Sequence, residues 1–241
     1  MTKPPSPLIY NIYLPESNPT MRELFRISDQ IETFRPGKLL CIGRNYAKHA
    51  KELGNEVPED PMVFLKPASA LIESGEEIVI PRASSDVHHE VELVCLIGKA
   101  GKDIPESKAL EHIAGFAVGL DMTARDIQSK AKAKGHPWSV AKGYDTFAPL
   151  GEFAPPHALR HIQNTHIELQ VNGETRQSGN TNEMIFSVAY LIHWCSSIFT
   201  LMPGDLLFTG TPEGVSQVHP GDQLVAKIEG LPSLTVGVRA A

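Results

Sequence analysis

Short apolar runs bounded by glycine or proline recur along this chain, and they limit the folds that it can adopt. The runs are rich in Val, Ile, Leu and Phe, a composition typical of β-strands. We predict strands at residues 38–43, 62–65, 77–80, 90–97, 115–120, 206–209, 223–228 and 233–238, with another near Ile167. Asn172-Gly173 lies between a Leu-x-Val run and a polar run, which predicts a hairpin. Strands should therefore dominate the fold.

Helical patterns are confined to a few segments. We predict helices at residues 20–34, 47–53, 106–113, 122–134 and 181–199. The last has its apolar side chains on one face, which should cover a sheet, and Thr181 or Asn182 would be its N-cap. A strand at 8–14 and the helix at 20–34 would form an N-terminal extension, residues 1–36, ahead of a main domain at 37–241. The predicted fold class is β-rich α+β.

Charge and cysteine content narrow the function. The 22 Lys+Arg and 28 Asp+Glu residues give a net charge of −6 without long runs of either sign, which argues against a nucleic-acid surface. Three widely spaced cysteines indicate neither a disulfide framework nor a thiolate zinc site. No apolar run approaches the roughly 20 residues that span a bilayer, and the N-terminus does not resemble a signal peptide. We expect a cytoplasmic protein with a small-molecule ligand.

Three acidic residues could form a metal site. Glu90 and Glu92 alternate with Val91 and Leu93, so on a strand both carboxylates project from one face. Asp121 ends the apolar run 115–120 and would stand at the mouth of a sheet. Oxygen ligands without a nearby thiolate suit Mg²⁺ first and Mn²⁺ second. The alternative is that the two glutamates lie on a solvent-facing strand edge and Asp121 caps a helix.

A second candidate is a histidine–carboxylate pair. His49 and Glu52 are three residues apart on the predicted helix 47–53, where a carboxylate can orient an imidazole for proton abstraction. The alternative is a solvated ion pair on a polar helix.

Two further features are less specific. Lys142, between small residues, could offer a cation to a developing oxyanion, although a surface lysine would have the same sequence context. The turn FTGTPEG, residues 208–214, could hold a carboxylate through its hydroxyl and N–H groups, or could simply connect two elements.

In this order the motifs resemble the fumarylacetoacetate hydrolase family, especially its short acylpyruvate hydrolase and oxaloacetate decarboxylase-type members. The resemblance runs from about Lys38 to the C-terminus. It rests on GRNYAKHAKELG, FLKPASAL, HHEVELVCLIGK, LDMTARDIQ, GHPWSVAKGYD, VNGETRQSGNT and GDLLFTGTPEGV.

The resemblance implies a mixed β-sheet roll with a few covering helices, usually in homodimers, and makes residues 37–241 the catalytic domain. It implies Glu90, Glu92 and Asp121 as metal ligands, and His49 with Glu52 as a catalytic pair on a lid helix. It also implies that the substrate faces Lys142 and Gln128, that Thr211 holds the substrate carboxylate, and that Arg44 and Lys66 lie in the same pocket.

The expected activity is Mg²⁺-dependent hydrolysis of the C–C bond of acylpyruvates, 2,4-dioxo acids such as acetylpyruvate or fumarylpyruvate, to pyruvate and a carboxylic acid. Two alternatives remain within the family, decarboxylation of oxaloacetate and keto–enol tautomerisation of 2-oxo dicarboxylic acids. An alternative of another class is a non-catalytic protein that binds a divalent ion and a dicarboxylate.

Overall fold

The computed structural model describes residues 25–26, 33–52, 54 and 56–241. The strands are β1 Phe25–Arg26, β2 Thr33–Phe34, β3 Leu39–Gly43, β4 Met62–Lys66, β5 Leu71–Glu73, β6 Glu77–Ile80, β7 Val87–His88, β8 Val91–Ile97, β9 Ile113–Leu120, β10 Thr123–Ala124, β11 Ala148–Leu150, β12 His166–Val171, β13 Glu174–Asn180, β14 Leu206–Phe208, β15 Gln223–Ile228 and β16 Leu234–Ala240. The α-helices are α1 Ala47–Glu52, α2 Arg125–Ala133, α3 Ser139–Lys142 and α4 Val188–Ile198, and 3-10 turns lie at Ala68–Ala70, Glu106–His112, Pro156–Ala158 and Thr181–Glu183.

Two mixed sheets form the body of the described chain. The larger has seven strands in the order β4-β3-β14-β8-β9-β11-β5, and the smaller has five in the order β13-β12-β15-β16-β6. Most neighbours are antiparallel, but β3 with β14, β5 with β11, and β6 with β16 are parallel. The predicted β-rich fold with a few covering helices is confirmed.

The larger sheet is buried on both faces. Along β8, Leu93, Cys95 and Ile97 pack in a core that includes β12, β15 and α4. Val94 and Leu96 point to the opposite face and pack in a second core with β3, β11 and β14. The strand therefore alternates between two apolar cores, and its acidic end is part of the protein interior.

The predicted strands that fall on described residues are present, to within two residues at each end. The Asn172-Gly173 hairpin is also present, with φ of 52° and 81° at the two turn residues, as a type I′ turn requires. The segment at 106–112 is helical as predicted, but of the 3-10 type. No helix of the described residues is long and apolar enough to cross a membrane.

The predicted start of the helix at 181–199 is wrong. A 3-10 turn occupies Thr181–Glu183, capped by Asn180, and α4 begins only at Val188 with Ser187 as N-cap. Asn45 holds the chain between them in a non-helical conformation. Its carbonyl accepts the N–H of residue 185, and its Oδ1 accepts the N–H of residue 186, each at 2.8 Å. A contact 141 residues away thus overrides the local helical periodicity.

The helix predicted at residues 20–34 is wrong wherever the structure describes it, because β1 and β2 pair there as antiparallel strands. Phe34 is buried in the second core beside Leu39, and this tertiary packing outweighs the local spacing of apolar residues. The strand predicted at residues 8–14 lies outside the described residues.

Candidate metal centre and active site

Glu90, Glu92 and Asp121 converge at one end of the β8–β9 pair. Val91 is paired with Leu120, so the residues just beyond that pair, Glu90 and Asp121, lie side by side. The Asp121 N–H donates to the Glu90 carbonyl at 2.8 Å. One carboxylate oxygen from each of the three acids lies within 4.8 Å of the other two.

The three carboxylates are buried, with 5%, 1% and 1% of the surface of Glu90, Glu92 and Asp121 exposed. A solvent-facing strand edge is therefore ruled out. Nor does Asp121 cap a helix, because the N-cap of α2 is Ala124. Buried carboxylates in a group need compensating positive charge.

Basic side chains neutralise part of this cluster. The Lys142 ammonium lies 2.8 Å from Glu90 Oε2 and 2.5 Å from Asp121 Oδ2. Lys66 Nζ lies 2.6 Å from Asp121 Oδ1, and Arg125 Nη2 lies 2.5 Å from Glu90 Oε1. Burial alone would raise the pKa of Glu90, but Lys142 and Arg125 outweigh it and hold that pKa well below its usual value.

Glu92 differs, because no described cationic side chain forms a hydrogen bond or ion pair with it. Its Oε2 accepts the Gly210 N–H at 2.7 Å. Burial, followed by the charges of Asp121 and Glu90, raises the pKa of Glu92 well above its usual value. A hard divalent cation among the three oxygens would relieve this repulsion, so the donor set fits such an ion.

The histidine–carboxylate pair is present on α1. His49 Nδ1 lies 3.2 Å from Glu52 Oε2, and His49 is 5% exposed. Glu52 Oε1 also accepts the Gly214 N–H at 3.0 Å, which fixes the carboxylate from its other side. The imidazole is therefore buried and oriented, which a solvated surface pair would not be.

The FTGTPEG turn contacts both the three-carboxylate cluster and the His49–Glu52 pair. Its Gly210 N–H binds Glu92 and its Gly214 N–H binds Glu52. Gly210 has φ of 96°, and a Cβ there would come within 2.7 Å of Asn45 Cβ, so the turn requires glycine at this position. The turn therefore does more than connect two elements. Its backbone N–H groups bind one carboxylate of the acidic cluster and the carboxylate of the His49–Glu52 pair.

One cavity collects most of the predicted site residues. Those that line it are Arg44, His49, Glu90, Glu92, Gln128, Lys142 and Thr211. Lys142 is 2% exposed and therefore not a surface lysine. Lys66 does not line the cavity; it lies behind Asp121 and donates to the carbonyls of Met122, at 3.0 Å, and Lys142. Asp121 and Glu52 likewise support the wall rather than form it.

Side chains that we did not predict also line the cavity, among them Phe64, Arg125, Lys132 and Trp138. Arg125 joins two predicted residues, since it contacts Glu90 and donates from Nη1 to Gln128 Oε1 at 2.8 Å. The sequence offered a signal for Arg125, because it precedes Gln128 by three positions at the start of a helix.

Buried polar side chains form a series of hydrogen bonds that ends at the cavity residue Thr211. His89 lies 2.8 Å from Gln177 Oε1, and Gln177 donates to Thr211 Oγ1 at 2.8 Å. Gln177 comes from β13, 34 residues before Thr211, and no local pattern in the sequence indicates this contact.

Comparisons with known proteins place this chain in a class of enzymes. The model of the fumarylacetoacetate (FAA) hydrolase C-terminal family matches residues 38–239. This chain belongs to that family, as its motifs predicted.

Two similar proteins are named for reactions of oxaloacetate, a small 2-oxo acid. Oxaloacetate tautomerase FAHD1 of Arabidopsis thaliana, a mitochondrial protein, is 53% identical over 199 residues, covering 82% of this chain and 89% of the relative. The mitochondrial oxaloacetate decarboxylase of Dictyostelium discoideum is 51% identical over 195 residues, covering 80% and 89%.

Among solved structures, fumarylpyruvate hydrolase from Pseudomonas aeruginosa in complex with Mn²⁺ and pyruvate superimposes with a TM-score of 0.87. It is 40% identical, and the match covers 95% of this chain and 100% of that one. These relatives are enzymes. This chain is therefore an enzyme of the same family, as its motifs predicted.

The expected cytoplasmic location is wrong by this comparison, because the relatives from A. thaliana and D. discoideum are mitochondrial proteins. The composition and the N-terminal segment on which the expectation rested did not distinguish the two compartments.

Proposed function

We propose that this chain is a divalent-metal enzyme that cleaves the C–C bond of acylpyruvates to give pyruvate and a carboxylic acid. The observation that carries the proposal is that a buried, oriented His49 shares one cavity with Lys142 and the acidic cluster. A second support is the similarity of this chain to the P. aeruginosa hydrolase, whose structure contains Mn²⁺ and pyruvate.

Glu90, Glu92 and Asp121 would hold Mg²⁺, with Mn²⁺ as the alternative, through one carboxylate oxygen each. The ion, when bound, supplies a Lewis acid and a template for the carboxylate and 2-oxo oxygens of the substrate.

His49 would take a proton from water, and Glu52, itself held by the Gly214 N–H, would keep the imidazole oriented for this transfer. The hydroxide adds to the distal carbonyl carbon, and the Lys142 ammonium donates to the oxyanion that forms there. The bond between that carbon and the CH₂ group then breaks, and its electron pair passes to the pyruvate enolate. Protonation of the enolate by the His49 imidazolium gives pyruvate and regenerates the base.

A second candidate is tautomerisation or decarboxylation of oxaloacetate, favoured by the relatives of A. thaliana and D. discoideum. The same cavity could serve both reactions. His49 would move a proton at the CH₂ group in tautomerisation, whereas decarboxylation needs no water to attack.

The test is a substrate panel. Purified protein is assayed with acetylpyruvate, fumarylpyruvate and oxaloacetate, in Mg²⁺, in Mn²⁺ and in excess EDTA, and the keto–enol exchange of oxaloacetate is followed by ultraviolet absorbance. Metal-dependent release of pyruvate from an acylpyruvate is the expected result. Activity on oxaloacetate alone would transfer the assignment to the second candidate. Metal binding without turnover of any substrate would reject both and leave a binding protein.

We further propose that the chain forms a homodimer, as the family resemblance implies. Size-exclusion chromatography with light scattering should give twice the chain mass of 26.3 kDa. A single-chain mass at micromolar concentration would contradict this.

A further inference from the structure

Two basic residues of the cavity have no acidic partner in the described part of the chain. Of the four cations that line it, Arg125 and Lys142 form ion pairs with Glu90. Arg44 and Lys132 form no ion pair with any described residue, and Arg44 Nε is buried without a hydrogen-bond partner. Buried donors of this kind are uncommon unless a ligand satisfies them.

The charge of the acidic cluster does not account for these two cations. Its three carboxylates are matched in number by three basic groups, Lys66, Lys142 and Arg125, which contact Glu90 and Asp121. Arg44 and Lys132 therefore add two positive charges to the cavity wall, before any metal ion is counted.

The backbone brings both side chains to the cavity from different elements. Arg44 follows β3 with φ of 61°, a left-handed conformation that is strained for a side chain of this size and is characteristic of functional sites. Lys132 lies in the last turn of α2, with its ammonium 5.2 Å from the centre of the Trp138 ring. Burial, followed by the charges of Arg44 and Arg125, lowers the pKa of Lys132 to about 8.

The wall beside these cations is apolar. The Phe64 and Trp138 rings lie there with centroids 5.7 Å apart. Such a surface suits the carbon skeleton of an oxo acid, and Arg44 and Lys132 are the cationic groups beside it that can bind a carboxylate.

We propose that Arg44 and Lys132 bind a second carboxylate, at the end of the substrate remote from the 2-oxo acid group. The inference rests on the proposed function, in which the acidic cluster and its metal hold the 2-oxo acid end. It narrows the substrate class to 2-oxo acids with two carboxylates, such as fumarylpyruvate and oxaloacetate, over those with one, such as acetylpyruvate.

The kinetic test replaces Lys132 by methionine, an unbranched side chain one atom shorter that carries no charge. Lys132→Met should raise KM for fumarylpyruvate or oxaloacetate by about tenfold or more, the usual effect of losing one charge-assisted hydrogen bond. Its KM for acetylpyruvate and its kcat should change less than threefold, and Lys132→Arg should keep most of the selectivity. Lys130→Met, an exposed position on the same helix, is the matched control and should resemble the wild type.

A binding measurement separates this subsite from the reaction. Titration calorimetry of Mn²⁺-loaded protein with 2-oxoglutarate and with 2-oxobutanoate, which lacks the second carboxylate, should show tighter binding of 2-oxoglutarate. This preference should disappear in Lys132→Met.

If the wild type turned over no oxo acid but kept the Lys132-dependent preference, the proposed function would fail and the subsite would stand. An equal effect of Lys132→Met on both ligands, or no effect on either, would overturn the subsite whatever the activity. Thermal melting of each variant establishes that it is folded.

Discussion

At the scale of single residues, the site depends on whether a polar side chain is buried with a partner or exposed to water. Alternation along one strand was enough to predict that Glu90 and Glu92 share a face. It could not show that the face is buried, because the contacts to it include residues far along the chain, such as Gly210, 118 residues from Glu92. The Gln177–Thr211 contact was missed for the same reason, because 34 residues separate its two partners.

His49 should be essential for proton transfer. We expect His49→Ala to lower kcat on an acylpyruvate by about 10²- to 10⁴-fold, the usual contribution of a general base, with a smaller effect on KM. His157→Ala, at an exposed position, is the control and should retain activity. Steady-state kinetics on both variants would remove the assigned base from the mechanism if His49→Ala hydrolysed its substrate normally.

His89 should make stability fall in acid. Burial lowers its pKa from 6.5 to about 4, so the folded state keeps it neutral while the unfolded chain takes up a proton. Stability is therefore lost as the pH falls from about 6.5 towards 4, by about 3 kcal/mol for this group alone. Urea unfolding at pH 7 and pH 4.5 should show a smaller loss for His89→Asn than for the wild type. Equal losses would mean that other groups dominate.

At the scale of elements, strands were predicted better than helix ends. Most long strands carry their own apolar pattern, whereas β5 and β11 have only three residues each and leave no periodicity to detect. The start of α4 was predicted wrongly for a different reason. Asn45 binds the residues before the helix across the fold and keeps them out of it. Local sequence therefore predicts an element well only when distant contacts agree with it.

The pairing of β8 with β9 depends on Gly119, which lies opposite Glu92. A Cβ at this position would come within 2.5 Å of Val94 Cγ2 and 2.8 Å of Phe208 Cε1. We expect Gly119→Ala to lower the free energy of unfolding by about 1–3 kcal/mol through overpacking, measured by denaturant titration. Gly237→Ala, in β16, meets no atom closer than 3.5 Å and should change it far less. Comparable losses in both variants would contradict this account.

At the scale of the whole molecule, metal binding and folding should be coupled through Glu92. This carboxylate is buried beside two others, so its negative charge destabilises the metal-free protein, and the ion relieves that cost in the folded state only. We expect Mg²⁺ or Mn²⁺ to raise the melting temperature of the wild type by several degrees.

Glu92→Gln separates the two effects. The metal-free variant should melt at or above the temperature of the metal-free wild type, because one buried charge is gone, yet gain little from added metal. Calorimetric scans with EDTA and with Mn²⁺ provide the comparison. An equal metal-induced shift in both proteins would show that Glu92 is not a ligand.

The turn at residues 208–214 binds carboxylates of both the proposed metal site and the proposed catalytic pair. One of its N–H groups fixes Glu92, beside the proposed ion, and another, four residues later, fixes the partner of His49. One short stretch of backbone thereby sets how far the carboxylate partner of His49 lies from the carboxylate beside the proposed ion. Glu52 and His49 both lie on α1, so any movement of this helix carries the two together, and the Gly214 N–H is the fixed donor to which Glu52 returns.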